Sequence, residues 1–126
     1  MAIFGIGTDI IEVHRVQKAI ESSERFRERV FSAEEIRYCS EKTNPWQSYA
    51  ARFAAKEALF KALGTGWSGG MEWKDISVEQ NEQGKPIIKV FNLVSDYCKA
   101  NQIKQIHVSL THIKELAMAY VVLETD

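Results

Sequence analysis

Residues 52 to 66 run Arg52-Phe-Ala-Ala-Lys-Glu-Ala-Leu-Phe-Lys-Ala-Leu-Gly-Thr-Gly66, and the remaining chain can be arranged around them. They read as the second half of a helix that opens at Asn44-Pro45, with Asn44 as N-cap and Pro45 in the first turn. The helix is expected to stop at Gly64, where a missing Cβ suits the left-handed residue after a helix end. Tyr49 or Ala50, Phe53 and Phe60 follow the i, i+3/4, i+7 spacing of a buried stripe, flanked by Ala54 and Leu63. Glu57 falls on that stripe, and a carboxylate there is costly unless a cation or donors meet it. Lys61 lies one turn further on, so the plain alternative is a Glu57–Lys61 surface pair worth only ~0.3–0.5 kcal/mol. An arbitrary helix favours the pair; the place within the stripe and the Gly-Thr-Gly that follows favour a carboxylate kept for a ligand.

Whole-chain numbers bound the rest. A chain of 126 residues is one domain by prior, spanning 1–126, and large enough to bury roughly two-thirds of its unfolded surface. The net charge of −1 gives no global reason to expect nucleic acid or an anionic membrane, so any charge-based recognition is local. The opening Met-Ala-Ile-Phe-Gly-Ile-Gly lacks the charged and long apolar regions of a signal peptide, and no apolar run approaches the length of a membrane span. Cys39 and Cys98 sit alone in helix-like segments, without zinc-site spacing, and read as reduced packing residues of a cytoplasmic protein.

Along the chain, Ile3 to Val13 reads as a strand leading into a helix. Phe4, Ile6, Thr8 and Ile10 fall on one face; Ile3, Gly5, Gly7, Asp9 and Ile11 fall on the other. Two glycines beside an acid leave room for something to approach the backbone closely. Strand propensity disfavours Asp9, which is either a helix-cap or turn acid or a residue held for a site. From Val13 the pattern is helical, and Arg15, Lys18, Arg25 and Arg29 would align on one side of a continuous helix as a docking face for an acidic partner. Ser22-Ser23 threatens that continuity, and a mixed-charge surface is commonly just solvated.

Ser32-Ala-Glu-Glu35 is a capping box opening a short helix to about Glu41. The loop Gly64-Thr-Gly-Trp-Ser-Gly-Gly70 can present backbone N–H groups to an anion, or simply turn the chain. Asp75 to Gln80 and Pro86 to Phe91 read as a hairpin around Asn81-Glu-Gln-Gly84, with Pro86 suited to an edge. Asn92 to Asn101 reads as a helix. Gln105 to Thr111 and Leu116 to Leu123 read as a second hairpin around His112-Ile-Lys-Glu115. His107 shares a strand face with Ser109 and Thr111, as a site residue or as a half-exposed strand histidine. The fold class expected is α+β, an antiparallel sheet of about five strands packed with three to four helices.

Gly5-Ile-Gly-Thr-Asp9-Ile-Ile, followed about forty-five residues later by the stretch from Arg52 to Gly66, resembles the signature pair of holo-[acyl-carrier-protein] synthases, the short trimeric class of 4′-phosphopantetheinyl transferases. Gly84-Lys-Pro86 and Ile106-His-Val-Ser-Leu-Thr-His112 resemble the family's later landmarks, and the likeness runs end to end. The resemblance implies that Asp9 and Glu57 hold a Mg²⁺ that also binds the pyrophosphate of coenzyme A, a set of hard oxygen donors that suits this ion. It implies that Lys61 lies by the phosphates, where an ammonium neutralises developing charge. Arg52, Lys56, Gly64, Lys85, Pro86 and His107 match positions that line the coenzyme A cleft.

The implied reaction is attack of a serine hydroxyl of apo acyl carrier protein on the β-phosphorus of coenzyme A, with adenosine 3′,5′-bisphosphate leaving, in bacterial fatty-acid synthesis. Glu57, directly or through a metal-bound water, is the first candidate for the base, and His107 the second. Carrier proteins are acidic, and the family's helix after the aspartate motif docks them, so Arg15, Arg25, Phe26 and Arg29 become docking candidates. Ala19 and Ser22 stand where relatives often carry a larger apolar and a basic residue. The family forms trimers with the cleft between neighbouring subunits. Two rival functions use the same features: a non-catalytic trimeric module binding coenzyme A or a nucleotide, and a metal-dependent phosphohydrolase.

Overall fold

The computed structural model describes residues 1–66 and 69–126. In chain order it holds β1 (Ala2–Glu12), α1 (Val13–Ser22), α2 (Glu24–Val30), α3 (Ala33–Ser40), α4 (Pro45–Leu63), a 3₁₀ turn at Trp73–Asp75, β2 (Ile76–Gln80), β3 (Pro86–Val90), α5 (Asn92–Ala100), β4 (Ile103–His112) and β5 (Leu116–Thr125). The fold is α+β and its strands pair antiparallel, as the sequence leads one to expect. The five strands divide into two sheets rather than one: a three-stranded sheet in the order β1-β5-β4, and the β2-β3 hairpin. There are five α-helices among the described residues because the helical stretch from Val13 breaks at Ser23. That residue is extended (φ −155°, ψ 113°), and its hydroxyl accepts a hydrogen bond from the Phe26 N–H, so one serine ends α1 and caps α2.

α4 has the bounds its sequence signals set. Asn44 is extended and Pro45 follows it, although the Asn44 side chain makes no capping bond. Gly64 takes the left-handed conformation at φ 81°, and its N–H donates to the carbonyls of Phe60 and Lys61. The helix is buried nearly all round rather than along one stripe: 12 of its 19 residues are buried, more than a single apolar face supplies. Two cores meet on it. Its first half packs with α1, Val30, Phe31 and Cys39, and its second half with β5, β2 and α5.

Along β5, Ala117, Ala119, Val121 and Leu123 are wholly buried towards α4. Because residues directly opposite in an antiparallel pair share a face, the register sorts the neighbouring strands. Gly5, Gly7, Asp9 and Ile11 pair with those four and share the α4 face, whereas Ile6, Thr8 and Ile10 share the open face with Val122, Tyr120 and Met118. A bulge between Ile3 and Gly5 makes Phe4 the extra residue and turns Ile3 to the open face, away from the glycines it was expected to accompany. On β4, His107, Ser109 and Thr111 pair with Val122, Tyr120 and Met118, so they also lie on the open face.

Candidate active site

Gly5 and Gly7 bring β1 directly under α4. A Cβ built on Gly7 would lie 1.8 Å from the Ala58 carbonyl oxygen, and one on Gly5 would lie 1.9 Å from that of Ala62. What approaches the strand backbone is therefore the helix itself, and only glycine permits it. Asp9 is the next residue on the same face, so this close packing carries its carboxylate to the side of α4 that presents Glu57 and Lys61.

Lys61 Nζ donates to Asp9 Oδ1 at 3.1 Å and to the Thr8 carbonyl at 3.0 Å. Lys61 thus pairs across to β1, where the sequence had left open an i, i+4 pair with Glu57. Burial raises the Glu57 carboxyl above the ordinary glutamate range, the negative charge of Asp9 raises it further, and Lys61 pulls it part of the way back. Glu57 is half-buried, while the Lys61 side chain is 54% exposed and the Asp9 side chain 17%. Two carboxylates and one partly exposed ammonium are thus gathered where β1 meets α4. Among the described residues no group of three or more His, Cys, Asp or Glu gathers to enclose a metal. Two hard oxygen donors with no nitrogen or sulfur suit Mg²⁺, which keeps several waters and completes its octahedron with substrate phosphates. Asp9 and Glu57 fit that ion on these grounds.

The other expected site residues lie elsewhere in the chain. Arg52 is buried, its guanidinium stacks 4.3 Å from the centre of the Tyr38 ring, and it donates to Gln80 Oε1 at 2.9 Å. Gln80 in turn donates to the Gly84 carbonyl and pairs with Pro86 across the hairpin, so Arg52, Lys85 and Pro86 belong to one neighbourhood at the β2-β3 turn. Five residues separate Arg52 from Glu57, about 140° around the helix axis, which puts the two neighbourhoods on different sides of α4. His107 lies on the open sheet face with its Nε2 2.6 Å from Glu124 Oε1, across the sheet from Asp9. Gly64 is exposed at the end of α4, whereas Trp67 and Ser68 of the glycine-rich loop lie outside the described residues.

Lys56 departs from expectation. It is wholly buried, with Nζ 2.7 Å from Glu35 Oε1 and donating to the carbonyls of Val30, Trp73 and Ile76. An enclosed ammonium with four protein partners does not line a cleft. Sequence reasoning found Glu35 only as a cap; no local signal marks it as the partner of a residue on another helix.

The continuous basic helix is also corrected, since Arg15 and Lys18 ride on α1, and Arg25 and Arg29 on α2. All four are exposed and none is in an ion pair among the described residues, whereas Arg27 and Arg37 are tied to Glu24 and Glu34 on their own helices. Phe26 is half-buried and packs its ring against Phe53.

Comparison with known proteins completes the picture. Residues 5–121 match the family model of the 4′-phosphopantetheinyl transferase superfamily. A holo-[acyl-carrier-protein] synthase of Alkaliphilus metalliredigens is 48% identical over 93% of this chain and 95% of its own. One from Solibacter usitatus is 42% identical over 97% and 98%. The crystal structure of a holo-(acyl-carrier-protein) synthase from Bacillus anthracis in complex with CoA (3′,5′-ADP) superposes with a TM-score of 0.81 at 36% identity, covering 98% of both chains.

Proposed function

The chain belongs to the 4′-phosphopantetheinyl transferase superfamily, among the holo-[acyl-carrier-protein] synthases, and on that premise we propose that it moves 4′-phosphopantetheine from coenzyme A to a serine of apo acyl carrier protein. The products are holo carrier protein and adenosine 3′,5′-bisphosphate, the reaction depends on Mg²⁺, and it serves fatty-acid biosynthesis in the cytoplasm. One observation supports the assignment most: Asp9 and Glu57, forty-eight residues apart in sequence, are gathered beside Lys61 by the close packing of β1 on α4.

Asp9 and Glu57 would hold the metal, which when bound supplies electrostatic stabilisation to the pyrophosphate and its developing charge. Before substrate arrives, Lys61 neutralises Asp9. A cation held there would neutralise Asp9 in its place, and Lys61, on a flexible stem with a side chain 54% exposed, would have the reach to meet the phosphate. Glu57, directly or through a metal-bound water, is the group proposed to accept the serine proton, with His107 as the alternative.

His107 and the Arg52–Lys85–Pro86 neighbourhood lie apart from the carboxylates in one chain, and a homotrimer would reunite them. Supporting this, Ile6, Ile10 and Tyr120 on the open sheet face are 61%, 55% and 50% exposed, an apolar surface that suits burial against another copy. A cleft formed there would take His107 and the hairpin from neighbouring subunits. Arg15, Arg25 and Arg29, which make no ion pair among the described residues, would with Phe26 meet the acidic carrier.

The test is to incubate the protein with coenzyme A, Mg²⁺ and apo carrier protein and weigh the carrier. A phosphopantetheine mass gain bears the proposal out. Bound coenzyme A without a gain would mark a binding module, and free phosphate a hydrolase.

A further inference from the structure

The residue before Glu57 is enclosed by parts of the chain that otherwise have little to do with the site. Lys56 Nζ donates to the Val30 carbonyl at the end of α2, to the Trp73 carbonyl in the 3₁₀ turn and to the Ile76 carbonyl at the start of β2. Its charge partner, Glu35, is itself wholly buried, and accepts from the N–H of Ser32 through Oε1 and from the N–H of Val78 through Oε2. One ammonium and one carboxylate thus join α2, α3, α4, the 3₁₀ turn and β2. On its opposite side α4 rests on the Gly5 and Gly7 backbone, a flat contact of small residues that by itself sets separation more firmly than rotation.

We propose that Lys56 and Glu35 are positioning residues for the transfer reaction: their buried ion pair fixes the rotation of α4 about its axis, so that Glu57 and Lys61 face Asp9. Adjacent helical residues point about 100° apart, so whatever fixes the direction of Lys56 fixes that of Glu57. A buried ion pair need not add net stability, and its better-attested use is to select one arrangement among several. Here the arrangement selected is the one in which the site carboxylates meet.

This inference rests on the metal assignment above, and the experiment separates the two. The variant is Lys56→Met with Glu35→Gln, which removes both charges and keeps the shapes. The control is Val94→Ala, a cavity in the α5 side of the core that loosens the fold and removes no atom of the ion pair or of the groups that bond it. At a temperature where circular dichroism shows each protein folded, calorimetry reads manganese binding in the presence of coenzyme A, and kinetics reads kcat and KM. Partners behind metal ligands are worth roughly 10–100-fold in affinity or activity, so the double variant is expected to lose that much manganese affinity and kcat. Its KM for carrier should change little, and Val94→Ala should bind manganese as the native protein does. Unchanged affinity in the folded double variant, or an equal loss in Val94→Ala, would overturn the positioning role. If the double variant does not fold, Glu35→Gln alone should show a smaller loss of manganese affinity, and none would likewise refute it. A native protein that binds no manganese with coenzyme A contradicts the metal assignment instead.

Discussion

Burial, and the neighbouring Asp9 after it, disfavour the charged form of Glu57, while Lys61 favours it. A carboxyl whose folded value is raised contributes stability that is complete below the unfolded glutamate value and is lost as pH rises through the folded one. In metal-free protein Glu57→Gln should therefore melt higher at pH 7 than the native protein does, and the advantage should vanish below the unfolded glutamate value, about pH 4. Thermal melts at the two pH values check this, and an equal gain at both would mean that the charge is not what is relieved. The same substitution, like Asp9→Asn, removes a proposed metal ligand. Support groups behind a ligand cost roughly 10–100-fold, so each variant should lose at least the upper end of that range in kcat/KM at limiting Mg²⁺. Stability gained where activity is lost is the pattern of a functional residue. Asp9 and Glu57 were both legible in the sequence, because an acid in a strand and an acid on an apolar stripe each conflict with local propensity. Lys56 was not, because helical spacing says which residues share a side but not which segment covers it.

Among the elements, α4 shows how far local signals reach. Asn44, Pro45 and Gly64 mark its ends because caps and the left-handed turn depend on residues next to them in sequence. Its burial nearly all round depends on α1, α3 and β2 returning to it, which no window of the sequence contains. The two glycines of β1 were legible as a close approach, but the partner was the helix backbone rather than a ligand. Gly7→Ala should accordingly destabilise at or beyond the upper end of the ~1–3 kcal/mol typical of overpacking, since the clash is with backbone. Denaturant melts read it, and a cost below that range would mean that α4 and β1 are not held at this separation. The break at Ser23 matters for docking, because the cations ride on two helices and need not act as one face. Arg15→Glu and Arg25→Glu should each raise KM for carrier roughly 2–10-fold, the range of one or two exposed ion pairs, and more at low salt. KM for coenzyme A should stay put; equal effects on both substrates would remove these arginines from docking.

In the whole molecule, apolar residues on both faces of β1 are visible in the sequence, yet nothing there says which face the helix covers. The register answers it and leaves Ile6, Ile10 and Tyr120 outside. If that surface joins copies, Tyr120→Glu should convert a trimer to smaller species in sedimentation velocity and abolish transfer while each chain stays folded. A fully active monomer would show that one chain holds the complete site. The proposed transfer chemistry depends on Asp9 and Glu57 sharing one divalent ion. The most direct test is calorimetric titration of Mg²⁺ into the protein saturated with coenzyme A. One ion per chain is expected, with binding lost in both Asp9→Asn and Glu57→Gln; native affinity retained in either variant would mean that the two acids do not share a metal.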